Sequence, residues 1–202
     1  MNKIVKDALV LTAITMISGA LLGGVYEITK EPIKKQEELT KQKAYEQVLP
    51  EAKSFEEVTI EGNKGVDIPA EAGYSAQEVT GVAKGLDASG SVMGYVYTVV
   101  TSEGYGGDIT LTMGVMNDGT VTGIEMLSIS ETAGLGMKAA EDEFKSQYAG
   151  KKVEKFEYTK TGAVSEEQID AISGATITTN AVTNGVNAGL AYFKAEGGTD
   201  NE

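Results

Sequence analysis

The sequence predicts an α+β fold class: a single amino-terminal transmembrane helix followed by a compact domain of antiparallel strands and a carboxy-terminal helix. Three observations predict it. Ala8 to Tyr26 is an uncharged run of 19 residues, three β-branched and aromatic runs of strand length cluster in the middle, and one periodic helical segment closes the chain. Strands and helices that are segregated rather than regularly alternating favour α+β over a doubly wound parallel sheet.

The apolar run ALVLTAITMISGALLGGVY follows Lys3, Lys6 and Asp7 and matches the roughly 20 residues with which a helix crosses a bilayer. A cleaved signal peptide is the competing reading, suggested by the basic start and the small residues Ser18, Gly19 and Ala20. Continuation of the run through Leu21 and Leu22 to Tyr26 favours a retained anchor over residues 1–27. Lys3 and Lys6 precede the span, whereas Lys30, Lys34, Lys35, Lys41 and Lys43 follow it, so the charge count alone puts the domain on the cytoplasmic side.

Residues 28–50 are rich in Lys, Glu and Gln and read as a solvated helical stalk, with Pro32 opening a new helix and Pro50 ending it. The domain proper spans residues 51–195, and from Ala52 the pattern turns toward strands. Val92 to Thr101, Ile109 to Met116 and Val121 to Ile129 are the clear ones. Between the last two, Asn117-Asp118-Gly119-Thr120 predicts a hairpin in which Asp-Gly supplies positive φ. Met137 to Tyr148 reads as helical. Ile177, Ala181, Val182, Val186, Leu190 and Phe193 recur at helical spacing and predict a final helix ending near Lys194. Residues 196–202 form a frayed tail.

Composition narrows the chemistry. The 41% of apolar residues supply a packed core, and 17 Lys+Arg against 30 Asp+Glu give a net charge of −13. Such acidity without a basic run argues against nucleic-acid binding, which needs clustered Lys and Arg. The chain has no Cys, His or Trp, which excludes haem ligation by imidazole or thiolate, iron–sulfur clusters, His/Cys metal sites and His-based triads. No metal ligand set and no catalytic residue is assigned.

Asp170-Ala171-Ile172-Ser173-Gly174-Ala175-Thr176-Ile177-Thr178-Thr179 stands at the start of the last helix. Free backbone N–H groups and the positive end of the helix dipole beside Ser173, Thr176 and Thr178 suit a phosphate. The plain alternative is an N-cap by Ser173 or Thr176. Two further glycine clusters, Ser102-Glu103-Gly104-Tyr105-Gly106-Gly107-Asp108 and Glu131-Thr132-Ala133-Gly134-Leu135-Gly136, read locally as turns. They also offer bare backbone to a flat ligand, with Tyr105 or Leu135 as an apolar contact. Neither matches a phosphate-loop or dinucleotide fingerprint.

Together these segments resemble the FMN-binding domains of the RnfG family and the related NqrC proteins. DAISGATITT resembles the D-x-[ST]-G-A-T motif at which a flavin transferase attaches FMN through its phosphate to the last threonine. Glu131 to Gly136 resembles an E-T-P-G-L-G segment with Ala133 in place of proline, and Ser102 to Gly107 resembles an S-x-x-G-Y-G-G segment one residue shorter. The resemblance implies a covalent phosphoester between FMN and Thr176. It implies a recognition motif of Asp170, Ser173, Gly174 and Ala175, with Thr178 beside it. Glu131, Thr132, Gly134, Leu135 and Gly136 form the loop against the ring, and Tyr105, Gly106 and Gly107 a second wall. Lys160 sits where the family often has a lysine that neutralises the phosphate, its plain reading being an exposed loop residue.

The implied function is an electron-transfer subunit of an Rnf-type ion-translocating ferredoxin:NAD⁺ oxidoreductase. The resemblance also implies a single-pass protein in the cytoplasmic membrane with its FMN domain extracytoplasmic, against the lysine count, and as partners the other membrane subunits of the complex and the flavin transferase. The competing classes are a membrane-anchored binding or adhesion module without flavin, and an extracellular flavin-dependent reductase.

Overall fold

The structure is a computed structural model and describes residues 2–196, so all of the expected 196–202 tail except Glu196 lies outside the described residues. The chain divides into two compact units, Met1–Lys41 and Gln42–Glu202.

Helix α1, Lys3–Val48, supplies the first unit and enters the second. It passes through Pro32 without the break expected there. Pro32 removes one N–H from the ladder, and the exposed surroundings of Pro32 and Ile28 leave the freed carbonyl open to solvent. The apolar part is long enough to cross a membrane and none of it is buried against protein. Its threonines satisfy themselves: Thr12 Oγ1 donates to the Ala8 carbonyl and Thr15 Oγ1 to the Thr12 carbonyl, each at 2.9 Å, as suits hydroxyls on an apolar helix.

The second unit is built on a five-stranded antiparallel meander in the order β1 (Ser54–Val58), β2 (Gln77–Leu86), β3 (Val92–Thr101), β4 (Ile109–Met116), β5 (Val121–Ser128). A short helix α2, Lys64–Glu71, joins β1 to β2. The β4–β5 turn closes as expected, with Gly119 at φ +89 and its N–H donated to the Met116 carbonyl at 2.9 Å. After β5 the expected helix over 137–148 is broken into a 3-10 turn (Gly136–Ala140), helix α3 (Asp142–Lys145) and a second 3-10 turn (Ser146–Tyr148). Glu141, in an extended conformation at φ −81 and ψ 147, interrupts the helical ladder. Two three-residue parallel strands, β6 (Glu157–Thr159) and β7 (Gln168–Asp170), precede α4, Thr176–Ala195.

The period-2 alternation of the sheet divides its side chains between two clusters. Val79, Tyr97, Val99, Leu111 and Met113 join Ala181, Val182, Val186, Leu190 and Phe193 of α4 in the larger core. Ala83 and Val96 point the other way, onto Tyr45, Val48 and Leu49 at the end of α1. The last turns of the expected solvated stalk are therefore core. Small residues make room for them: a Cβ on Gly85 would strike the Leu49 side chain and one on Gly114 the Val48 carbonyl.

Candidate functional site

At the end of the sheet where β3 leaves and β4 begins, a cavity of about 580 Å³ opens beside the amino terminus of α4. Three separate segments line it: Tyr105; Glu131, Thr132, Leu135 and Gly136; and Gly174 through Thr178.

The first wall is the β3–β4 loop. Glu103 fixes its start, with Oε2 accepting from Gln77 Nε2 at 2.8 Å and from Asn184 Nδ2 of α4 at 2.7 Å. Gly106 is pressed against the Ser130 carbonyl, where a Cβ would not fit, and its N–H donates to Glu131 Oε1 at 3.0 Å. Tyr105 is held between these two ties and remains 71% exposed. Gly106 and Gly107 back the loop and do not themselves line the cavity.

The second wall follows β5. The Thr132 carbonyl accepts from the N–H groups of Leu135 and Met137 at 3.1 and 3.2 Å, closing a turn in which Gly134 adopts φ +75, a region that glycine enters freely. Glu131 is buried, and its Oε2 accepts from Thr178 Oγ1 at 2.8 Å. Gly136 packs so tightly on this pair that a Cβ would lie 2.6 Å from both oxygens.

The third wall is the start of α4. No side chain caps this helix. The expected Ser173 or Thr176 cap is therefore not formed, and Ser173 is exposed. Thr179 shapes the turn instead: its hydroxyl accepts from the Ile172 N–H at 3.1 Å and donates to the Ala175 carbonyl at 3.0 Å. The first N–H groups of α4 thus face the cavity end uncapped, at the positive end of the helix dipole. Thr176 is half-buried beside them, and its hydroxyl makes no hydrogen bond among the described residues. Leu135 and Ile177 join Tyr105 as apolar side chains turned outward, 42% and 54% exposed. An anionic phosphate at the helix end and a flat ring between Tyr105, Leu135 and Ile177 suit this arrangement.

Some expected site residues lie elsewhere. Lys160 is exposed and outside the cavity lining. Asp170 accepts the Ala163 N–H on Oδ1 at 2.6 Å and, with Ser173, lines a separate cavity of about 250 Å³. Sequence reasoning missed Ile177 as a wall residue by placing it in the apolar row of α4, although its first-turn position puts it beyond the sheet. It also missed Glu103, whose partners are 26 and 81 residues away.

Residues 104–191 match the FMN-binding domain family and residues 1–48 the RnfG N-terminal region. The G subunit of the ion-translocating oxidoreductase complex of Methanosarcina acetivorans is 32% identical over 198 residues, which span 98% of each chain. The G subunit of the Na⁺-translocating ferredoxin:NAD⁺ oxidoreductase complex of Acetobacterium woodii is 32% identical over 193 residues, 94% of this chain and 91% of its own. The crystal structure of the C subunit of the Na⁺-translocating NADH-quinone reductase of Parabacteroides distasonis shares the fold, with a TM-score of 0.50 and 20% identity over 76% of this chain and 80% of that one. With identity at this level to its relatives over almost its whole length, the chain belongs to the RnfG family, the G subunits of ion-translocating oxidoreductase complexes.

Proposed function

We propose that the chain is the membrane-anchored electron-transfer subunit of an Rnf-type ion-translocating ferredoxin:NAD⁺ oxidoreductase, carrying FMN in a phosphoester to Thr176. One observation carries this reading: three segments separated by 25 residues or more converge on one cavity beside an uncapped helix start. The residues fit the cofactor. Gly174, at φ +77, lets the chain turn into the helix with only backbone against Leu135, leaving the N–H groups and the Thr176 hydroxyl for a phosphate. Among the motif's threonines, Thr178 is 1% exposed with its hydroxyl given to Glu131, and Thr179 is fully buried with its hydroxyl tied to Ile172 and Ala175. Thr176 is the one left for attachment.

Bound FMN supplies the reversible electron chemistry, which a chain without Cys or His does not provide. The protein's share is to hold the phosphate at the α4 terminus, to wedge the ring between Tyr105, Leu135 and Ile177, and to keep water off it. A flavin transferase installs the group, and other membrane subunits of the complex pack on α1. We place the FMN domain on the extracytoplasmic side, where a covalent bond prevents loss of a cofactor that would not be recaptured.

In-gel flavin fluorescence of denatured protein, co-expressed with a flavin transferase, followed by mass spectrometry of the Thr176 peptide, tests the attachment. A fluorescent band with an FMN-sized addition on Thr176 is expected. A dark band, with the transferase active on a control protein, refutes the reading. Sidedness is tested independently, because the chain has no Cys. Val164→Cys, at a position 88% exposed, is expected to react with a membrane-impermeant maleimide in intact cells. Labelling only after lysis would put the domain inside.

A further inference from the structure

All three walls of the cavity meet on one carboxylate. Glu131 is 8% exposed and lines the cavity. Its Oε1 takes the N–H of Gly106, beside Tyr105, and its Oε2 takes the hydroxyl of Thr178, two residues beyond Thr176. Gly136 of its own loop gives up a side chain to admit the pair. No lysine or arginine pairs with Glu131 among the described residues. Burying a carboxylate without a cation is costly, and a neutral amide would keep both contacts at lower cost, accepting from Gly106 and donating to Thr178. The retained charge therefore calls for a role beyond joining loops.

We propose that Glu131 is a positioning residue for the flavin that also lowers its reduction potential. Its two hydrogen bonds brace the Tyr105 and Leu135 loops against α4, and its carboxylate places negative charge in the wall of the ring cavity. This rests on the reading of the cavity as the FMN site. An electron arriving on the ring meets that charge in a partly water-excluded setting, which disfavours the reduced form relative to a neutral wall.

The brace and the charge can be separated. In Glu131→Gln the amide oxygen accepts from Gly106 and the amide N–H₂ donates to Thr178 Oγ1, so the brace stays and the charge goes. Glu131→Ala removes both. Glu103→Gln is the control: it removes a carboxylate that ties the same loop to Gln77 and Asn184 and lies outside the cavity lining.

The experiment uses the full chain in detergent, loaded by the transferase. It reads in-gel fluorescence for loading, visible circular dichroism for ring geometry, and the flavin midpoint potential by redox titration. Glu131→Gln is expected to load fully, keep the wild-type dichroism and titrate at a higher potential. Glu131→Ala is expected to load and lose that dichroism, and Glu103→Gln to shift the potential less than Glu131→Gln. A wild-type potential in Glu131→Gln, an equal shift in Glu103→Gln, or wild-type dichroism in Glu131→Ala overturns the proposal. Absence of flavin from the wild-type chain would instead remove the reading of the cavity, and this proposal with it.

Discussion

Thr122 donates its hydroxyl to the Val48 carbonyl, and that same carbonyl rests on the bare Cα of Gly114 in the adjacent strand. The end of α1 is thus seated on the sheet by a side-chain hydrogen bond and a missing side chain together. Gly114→Ala would drive a Cβ into backbone and is expected to cost about 1–3 kcal/mol, the usual range for overpacking. Thermal unfolding in detergent should show a melting point several degrees lower. Gly123→Ala is the control, because its Cβ would meet Val48 Cα at an ordinary 3.9 Å. An equal loss in both variants would refute the seating argument.

Thr176→Ala should leave the fold alone and abolish attachment. The side chain caps nothing and is only half-buried, so a stability change within about 0.5 kcal/mol is expected, as for surface substitutions in general. Far-UV dichroism and melting should match the wild type while the denatured band goes dark. A fluorescent band would move attachment to another hydroxyl.

Leu135→Asp should do the reverse. Its side chain reaches the wall next to Gly174, 3.1 Å from where a Cβ would stand. A charge there should alter the flavin absorption spectrum while the covalent band persists. An unchanged spectrum and potential would remove that loop from the ring site.

Alkaline stability should follow Tyr148 and Tyr97. Burial pushes both phenols well above the ordinary tyrosine value of 10.0, against which the Thr183 hydrogen bond of Tyr148 is a smaller opposing effect. Their folded pKa values exceed the unfolded ones, so the unfolded chain releases protons first. Stability is therefore full below pH ~10 and falls as pH rises above it. Absorbance of ionised tyrosine should show Tyr97 and Tyr148 appearing only with cooperative unfolding. Tyr148→Phe forfeits its 2.9 Å bond to Thr183, while Thr183 still donates to the Thr179 carbonyl. A loss of about 1 kcal/mol at neutral pH is expected.

The central strands were readable because β3 and β4 are rich in β-branched and aromatic residues despite Gly94 and Gly114, and Asp-Gly marks the turn into β5. β2 was not, for a physical reason: Gly81, Ala83 and Gly85 lie in it, and the last two lie under the end of α1, so packing removed the residues that advertise a strand. β6 and β7 are three residues each and pair in parallel, which leaves no local pattern. At the site, the glycine clusters and the hydroxyl-rich helix start were visible as candidates. That Thr178 serves Glu131 and that Asp170 serves the Ala163 loop depends on contacts 47 and 7 residues apart, which spacing does not reveal.

Seating the end of α1 on the sheet also sets the order in which the domain can be completed. Each strand of the meander pairs with its neighbour in sequence, so beyond the α2 connection the sheet grows through short loops that close quickly. The contact between Val48 and Thr122 spans 74 residues and forms only once β5 has been synthesised. Until β2 and β3 supply Ala83 and Val96, Tyr45, Val48 and Leu49 trail the membrane segment as uncovered apolar surface. The nascent chain is therefore most prone to misassociation between emergence of the helix and emergence of the third strand, and the fifth strand then locks the seat.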